Sequence, residues 1–109
     1  MRIRATAAMA TVLLFAASSG SAQAAPFMMY GVGAESCGTW LAERKGTNWY
    51  NEGQWVLGWV SAAGNYTGHL RKSDSDALAA WVDKYCREHP LDNLTVAAGH
   101  LVDELSKPE

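Results

Sequence analysis

The sequence predicts a small all-α domain, four helices tied by one disulfide with little or no sheet, and three observations lead to that prediction. Apolar residues recur at three- and four-residue spacings in four separate stretches, which is the period of helices. No stretch alternates with the period of two that strands require. The 109 residues include two cysteines, and their 49% hydrophobic and 18% charged content is typical of one globular domain.

Residues 1–24 have the pattern of a secretory signal peptide. Two arginines precede an apolar run from Ala5 to Ala17, and Ala22-Gln23-Ala24 fits an A-x-A cleavage site. The run is shorter than the roughly 20 apolar residues that a membrane-spanning helix needs. We therefore expect residues 1–24 to be removed on export to the periplasm, which leaves a single small helical domain, residues 25–109, without a transmembrane segment.

The charge of residues 25–109 bears on the partners of the domain. They contain 7 Lys+Arg and 11 Asp+Glu, a net charge of −4 before histidines and termini. Nucleic-acid binding calls for a clustered basic face, so no nucleic-acid partner is expected. When every carboxylate is protonated, the side-chain charge becomes +10. Because like charges repel in the compact state, we expect acid to loosen the packing.

Cys37 and Cys86 allow one intramolecular pairing in an exported chain. A disulfide between them closes the loop of residues 37–86, which stabilises a fold by about 4 kcal/mol on the loop-entropy model. The alternative is a zinc site that these cysteines form with His89 and His100, in which only the step from Cys86 to His89 has ligand spacing. We expect the disulfide, and hence neither a metal nor a reactive thiol.

The first two helices are predicted from capping and periodicity. The first runs from Cys37 to about Arg44 behind a serine N-cap, and the second from about Glu52 to Tyr66. The second carries an apolar stripe that includes Trp55 and Trp59. Gly58 lies between these tryptophans at a cost to helix stability, which indicates that another helix packs closely there.

The last two helices are predicted in the same way. The segment Ser73–Asp76 resembles a capping box and begins the third helix, which carries Cys86 in its last turn and stops before Pro90. The fourth helix runs from about Asp92, its expected N-cap, to Ser106. Its apolar stripe steps by three and four through Leu91, Leu94, Ala98, Leu101 and Leu105.

The sequence contains no recognisable constellation for catalysis. His69, His89 and His100 are far apart, and no acidic residue is paired with them by spacing. We therefore expect a protein that is not an enzyme and needs no cofactor.

Three segments resemble those of the HdeA/HdeB-type acid-stress chaperones of bacterial periplasms. Residues 36–41 resemble the first-cysteine segment of that family, residues 55–60 its tryptophan–glycine–aromatic helix, and residues 85–90 its second-cysteine segment. Thr39 departs from the acidic residue that the family has at that point. The resemblance implies a neutral-pH store, often a homodimer, that loosens in acid and holds unfolded client proteins. The residues expected to bind clients are Trp55, Trp59, Leu94, Leu101 and Leu105.

A second resemblance implies a different partner. The stretch from Trp81 to Leu105, with His89-Pro90 inside it, is also similar to Tai-type periplasmic immunity proteins. Those proteins bind and block a secreted toxin, and they often carry extra cysteines that this chain lacks. A toxin protein is therefore the alternative partner.

Overall fold

The computed structural model describes Ile3 and residues 27–109, so the predicted signal peptide lies, apart from Ile3, outside the described residues. A short 3-10 helix is followed by four α-helices. Their bounds are Gly31–Ala34 for the 3-10 helix, Cys37–Arg44 for α1, Tyr50–Thr67 for α2, Ser75–Glu88 for α3 and Leu94–Leu105 for α4. In this part of the chain the strand-type backbone pairing consists of one isolated β-bridge, between Ser36 and Asn93. The predicted all-α class is confirmed.

The Cys37–Cys86 disulfide joins the first residue of α1 to the last turn of α3, as predicted. Both cysteines are fully buried. The Cys37 N–H also donates to the Asp92 carbonyl at 2.7 Å, which fixes the loop before α4 to the same point. The ends of three helices are therefore held together at one place in the fold.

The core lies between α4 and the two helices that it packs against, α2 and α3, with α1 closing it from the side of α3. The largest fully buried side chain is that of Trp40 in α1. The same core cluster includes the buried side chains of Val56, Val82, Leu94, Leu101 and Leu105. The apolar stripe predicted for α4 from Leu94 onward thus faces the core.

Two predicted N-caps are wrong by one residue. Helix α3 is capped by Asp74, whose carboxylate accepts from the Ala77 N–H at 2.8 Å, and not by Ser73. Helix α4 is capped by Asn93 rather than Asp92. The reason is that the Asp92 carboxylate accepts from the Tyr85 hydroxyl at 2.6 Å, so it is not available to the helix.

Two other details of the helix predictions are also wrong. Leu91 does not belong to the apolar stripe of α4, since it precedes the helix and is 96% exposed. Gly58 is not a point of close packing, because a Cβ built there would meet no atom within 4 Å. The close approach on α2 is at Gly53, where an added Cβ would lie 2.7 Å from the Trp49 ring.

Candidate protein-binding surface

Residues 27–30, α2 and α4 form an exposed apolar face. We call it the Trp59 surface. It comprises residues 27–30, then Trp55, Gly58, Trp59, Ala62 and Ala63 of α2, and Gly99 and Val102 of α4. The α2 residues lie on one side of the helix because they are spaced by three and four. The sequence therefore builds this face from the stripe that carries Trp55 and Trp59, beside the side of α2 that buries Val56.

Aromatic stacking gives the Trp59 surface its shape. The rings of Trp55 and Trp59 stack with their centroids 5.3 Å apart, one helical turn from each other. The Phe27 ring lies 6.4 Å from the Trp59 ring at an angle of 36°. Both tryptophans are half-buried, so each keeps part of its ring accessible. The result is a stacked aromatic ridge rather than isolated exposed rings.

An open groove lies on each side of Trp59. The first, of about 430 Å³, lies between residues 27–30 and α2. The second, of about 440 Å³, lies between α2 and α4. Asp103 is the one charged residue that lines either groove in the described part of the chain. Both grooves are therefore lined mainly by apolar side chains, which suits the binding of apolar side chains from another protein.

The floor of the grooves is made of very small residues. A Cβ added at Gly58 or at Gly99 would meet no atom within 4 Å. Ala62 is exposed, and Ala63 is half-buried beside it. Since no other described side chain fills this space, an apolar group from another molecule can approach the backbone of both helices.

The backbone of residues 27–30 is held in place while their side chains stay accessible. The Trp55 indole N–H donates to the Tyr30 carbonyl at 2.8 Å. The chain then turns at Gly31, whose φ of 79° is a conformation that glycine adopts without strain. Phe27, Met28 and Tyr30 remain 63%, 76% and 77% exposed. Large apolar side chains this exposed and this close together mark an interaction surface more often than scattered ones do.

The structure divides the residues predicted to bind clients into two groups. Trp55 and Trp59 lie together on the Trp59 surface. Leu94, Leu101 and Leu105 are buried in the core, at 0%, 1% and 6% exposure. Contact between these leucines and a client would require the helices to separate, as expected in acid, and their binding role stays a prediction.

Residues 27–30 are the part of the surface that sequence reasoning missed. The apolar periods of the sequence assign them to none of the four predicted helices. The available signal was four consecutive large apolar residues, Phe27-Met28-Met29-Tyr30, directly after the predicted cleavage site. Gly99 and Val102 had no such signal, because they lie on the flank of the apolar stripe of α4.

The structure brings together two histidines that are eleven residues apart in sequence. The rings of His89 and His100 stack on Tyr85 at centroid distances of 4.5 and 5.2 Å. Burial, and then the hydrogen bond to Asp92, raise the pKa of Tyr85 to about 12, so its hydroxyl remains a donor. His69 lies elsewhere, with Nδ1 2.7 Å from the Thr67 carbonyl. Among the described residues, no three His, Cys, Asp or Glu side chains are placed to hold a metal ion.

One carboxylate joins α1 to α3. Asp83 accepts hydrogen bonds from the Trp40 indole N–H at 2.8 Å and from Nε and Nη2 of Arg44, each at 2.9 Å. The hydrogen bond with Asp83 raises the pKa of Arg44 above its usual range. The Arg44 guanidinium also lies over the Trp49 ring, 4.5 Å from its centroid. This clamp depends on negative charge at Asp83, and acid protonation would weaken it.

A second carboxylate holds the end of α4. Lys107 donates to Glu104 at 2.6 Å, and this hydrogen bond lowers the pKa of Glu104. Arg71 lies 3.6 Å from the same carboxylate. The Arg71 N–H also donates to the Leu105 carbonyl at 2.8 Å, which ties the loop before α3 to α4. Because the pKa of Glu104 is lower in the folded than in the unfolded chain, its stabilising contribution is lost as the pH falls through the pKa of the folded state.

Comparison with known proteins gave no relative of this chain. No family model, no curated protein and no solved structure matches it. Among the described residues, no helix is both long enough and apolar enough to cross a membrane. A function is therefore best inferred from the Trp59 surface and from the carboxylates that hold the helices together.

Proposed function

We propose that the protein is an exported, non-catalytic protein-binding protein that holds unfolded client proteins in acid, as HdeA-like chaperones do. The observation that carries the proposal is the Trp59 surface, an apolar face with two open grooves beside a stacked aromatic ridge. A domain of this size has little apolar surface to spare, since it needs most of it for its core. Its exposure at one place favours a role in binding.

The distribution of carboxylates supports the acid part of the proposal. Acid changes the side-chain charge of residues 25–109 from −4 to +10, and this charge opposes compaction. Protonation also removes the contribution of Glu104 at the end of α4, and it weakens the clamp that Asp83 forms. The first change loosens the end of α4, and the second loosens the contact between α1 and α3.

The disulfide supports a limited opening rather than complete unfolding. It joins α1 to α3, whereas α2 and α4 are held in the described structure by packing and hydrogen bonds. Loosening would therefore separate α4 first and uncover Leu94, Leu101 and Leu105 next to the Trp59 surface. Compact acid states with exposed apolar surface are a known outcome of this balance of forces.

A client-protection assay with a matched pair of variants tests the proposal. Ala62→Lys places a cation on the Trp59 surface, and Ser61→Lys places the same cation on the neighbouring residue, which is exposed but outside that surface. Light scattering of a periplasmic client mixture at about pH 2–3, below the ordinary pKa of Asp and Glu, reports aggregation. We expect the wild type and Ser61→Lys to suppress scattering and Ala62→Lys to lose this effect. Unchanged scattering with equimolar wild-type protein would rule out the chaperone function.

One observation favours the second candidate function, that of an immunity protein which binds a toxin. The Trp59 surface is already accessible in the folded state, so a folded partner needs no acid opening to reach it. This function requires binding of a folded secreted toxin at neutral pH, which calorimetry measures directly. Binding at pH 7 that Ala62→Lys abolishes, together with no client protection in acid, would favour the immunity function over the chaperone.

A further inference from the structure

Two glutamates lie in an environment that does not suit two negative charges. Glu52, in the first turn of α2, is only 6% exposed and is the one charged side chain among the described residues that is buried. Its Oε2 atom is shielded from solvent and has no hydrogen-bond donor. Glu35, directly after the 3-10 helix, also has a shielded Oε2 atom without a donor. Buried carboxylate oxygens without partners are costly, and each one calls for an explanation.

Two hydrogen bonds fix the backbone of Glu35. The Glu35 N–H donates to the Val32 carbonyl at 3.0 Å, and the Glu35 carbonyl accepts from the Leu94 N–H at 2.9 Å. The Glu35 backbone is therefore linked to both the 3-10 helix and α4. The 3-10 helix that precedes Glu35 packs on α2, and the Glu52 side chain raises the pKa of Glu35, which places the two carboxyl groups near each other. Ionised carboxylates only accept hydrogen bonds, so this contact has no donor until one of the two is protonated.

We propose that Glu35 and Glu52 share one proton in the folded protein, and that this pair is a latch, strengthened by acid, between the segment before α1 and the start of α2. One added proton satisfies both shielded oxygens, since the protonated carboxyl donates to the ionised one. The same proton removes the repulsion between them. No metal ion or partner molecule is needed.

The charged groups around Glu35 are consistent with the latch. Burial, the charge of Glu52, the hydrogen bond with Glu52 and the charge of Glu43 raise the pKa of Glu35, in that order of size. Glu52 belongs to α2 and Glu43 to α1. The first turn of α4, which also packs here, carries no charged side chain. Each charged group that acts on Glu35 is therefore a carboxylate.

The latch responds to pH in the opposite sense to Glu104. Because the pKa of Glu35 is raised in the fold, its stabilising contribution is present at low pH and is lost as pH rises through the folded value. Acid therefore strengthens the junction between the 3-10 helix and α2 while it weakens the end of α4. Residues 27–34 and α2 would stay joined when α4 loosens. The latch itself does not depend on client binding.

Unfolding by urea at two pH values tests the latch in the intact domain. Glu35→Gln supplies an amide donor to Glu52 without a titrating proton. We expect it to raise the urea midpoint at pH 7 and to lose this advantage at pH 4, where the wild-type pair is protonated. Glu43→Gln is the matched control, because it removes a nearby charge but no shared proton, and its effect should be smaller. A Glu35→Gln midpoint that is unchanged or lowered at pH 7, or an equal effect of Glu43→Gln, would overturn the proposal.

A direct titration keeps the proposal testable if a variant folds poorly. The side-chain carboxyl carbon of Glu35 in the wild-type protein can be followed by NMR as a function of pH. We expect it to titrate above the exposed glutamates of the same chain, and Glu52→Gln to alter its titration more than Glu43→Gln does. Titration of Glu35 at or below the exposed glutamates would overturn the shared proton, whatever the outcome of the client assay.

Discussion

Replacement of Asp83 by asparagine should destabilise the domain more than any other change of a single charge. The asparagine oxygen can still accept from Trp40 and from Nε of Arg44, but the amide nitrogen then faces Nη2 of Arg44, donor against donor. Hydrogen bonds to charged groups contribute about 1.5–3 kcal/mol each. The Arg44 and Asp83 side chains are 26% and 18% exposed, so solvent screens part of their attraction. We expect Asp83→Asn to lower the free energy of unfolding by about 2–3 kcal/mol.

Urea unfolding at pH 7, followed by tryptophan fluorescence, measures this loss. The control is Asp76→Asn, which removes an exposed carboxylate from the same helix and should cost less than about 1 kcal/mol. A double-mutant cycle of Asp83→Asn with Arg44→Leu should give a coupling of about 1–3 kcal/mol. If Asp83→Asn costs no more than Asp76→Asn, or if the cycle gives no coupling, the clamp between α1 and α3 does not hold the fold as we describe.

Three further changes have defined outcomes. Replacement of Cys37 and Cys86 by serine should lower the free energy of unfolding by about 4 kcal/mol, seen as a large fall in the thermal midpoint, and an unchanged midpoint would contradict this. Glu104→Gln should lower the urea midpoint at pH 7, and this effect should shrink as the pH falls below the ordinary pKa of Glu and the wild-type carboxylate loses its contribution; an effect that does not change with pH would refute the lowered pKa. Leu101→Ala should lower the free energy of unfolding by about 2–5 kcal/mol because the side chain is 1% exposed. Ala62→Lys should change it by less than about 1 kcal/mol. Thermal unfolding followed by circular dichroism compares the two variants.

The sequence was sufficient to predict the helices because each of them has its own apolar period. The bounds predicted for α1, Cys37–Arg44, agree with the structure, and α2 differs by two residues at its start and one at its end. The error at Asp92 has a tertiary cause. Asp92 has the right chemistry for an N-cap, but Tyr85 and Cys37 engage its carboxylate and carbonyl instead. Such competition cannot be seen in a local pattern.

The candidate site was predictable only in part, since an apolar stripe does not say what covers it. Trp59 and Leu94 lie on stripes of the same period, yet one is on an open surface and the other is fully buried. Helix α2 has apolar residues on two sides, and the packing of α4 decides which side stays free. The contact of Glu35 with Glu52 was beyond sequence reasoning as well, because it joins two elements through the tertiary fold.

Site-specific photo-crosslinking tests the central claim, client binding at the Trp59 surface in acid, most directly. A photoreactive residue is placed either at Ala62, on that surface, or at its exposed neighbour Ser61, outside it. Each protein is irradiated with a permanently unfolded client at about pH 3, below the ordinary pKa of Asp and Glu. We expect client adducts from position 62 at this pH and few from position 61. Equal yields from the two positions, or no adducts from position 62 in acid, would contradict the claim.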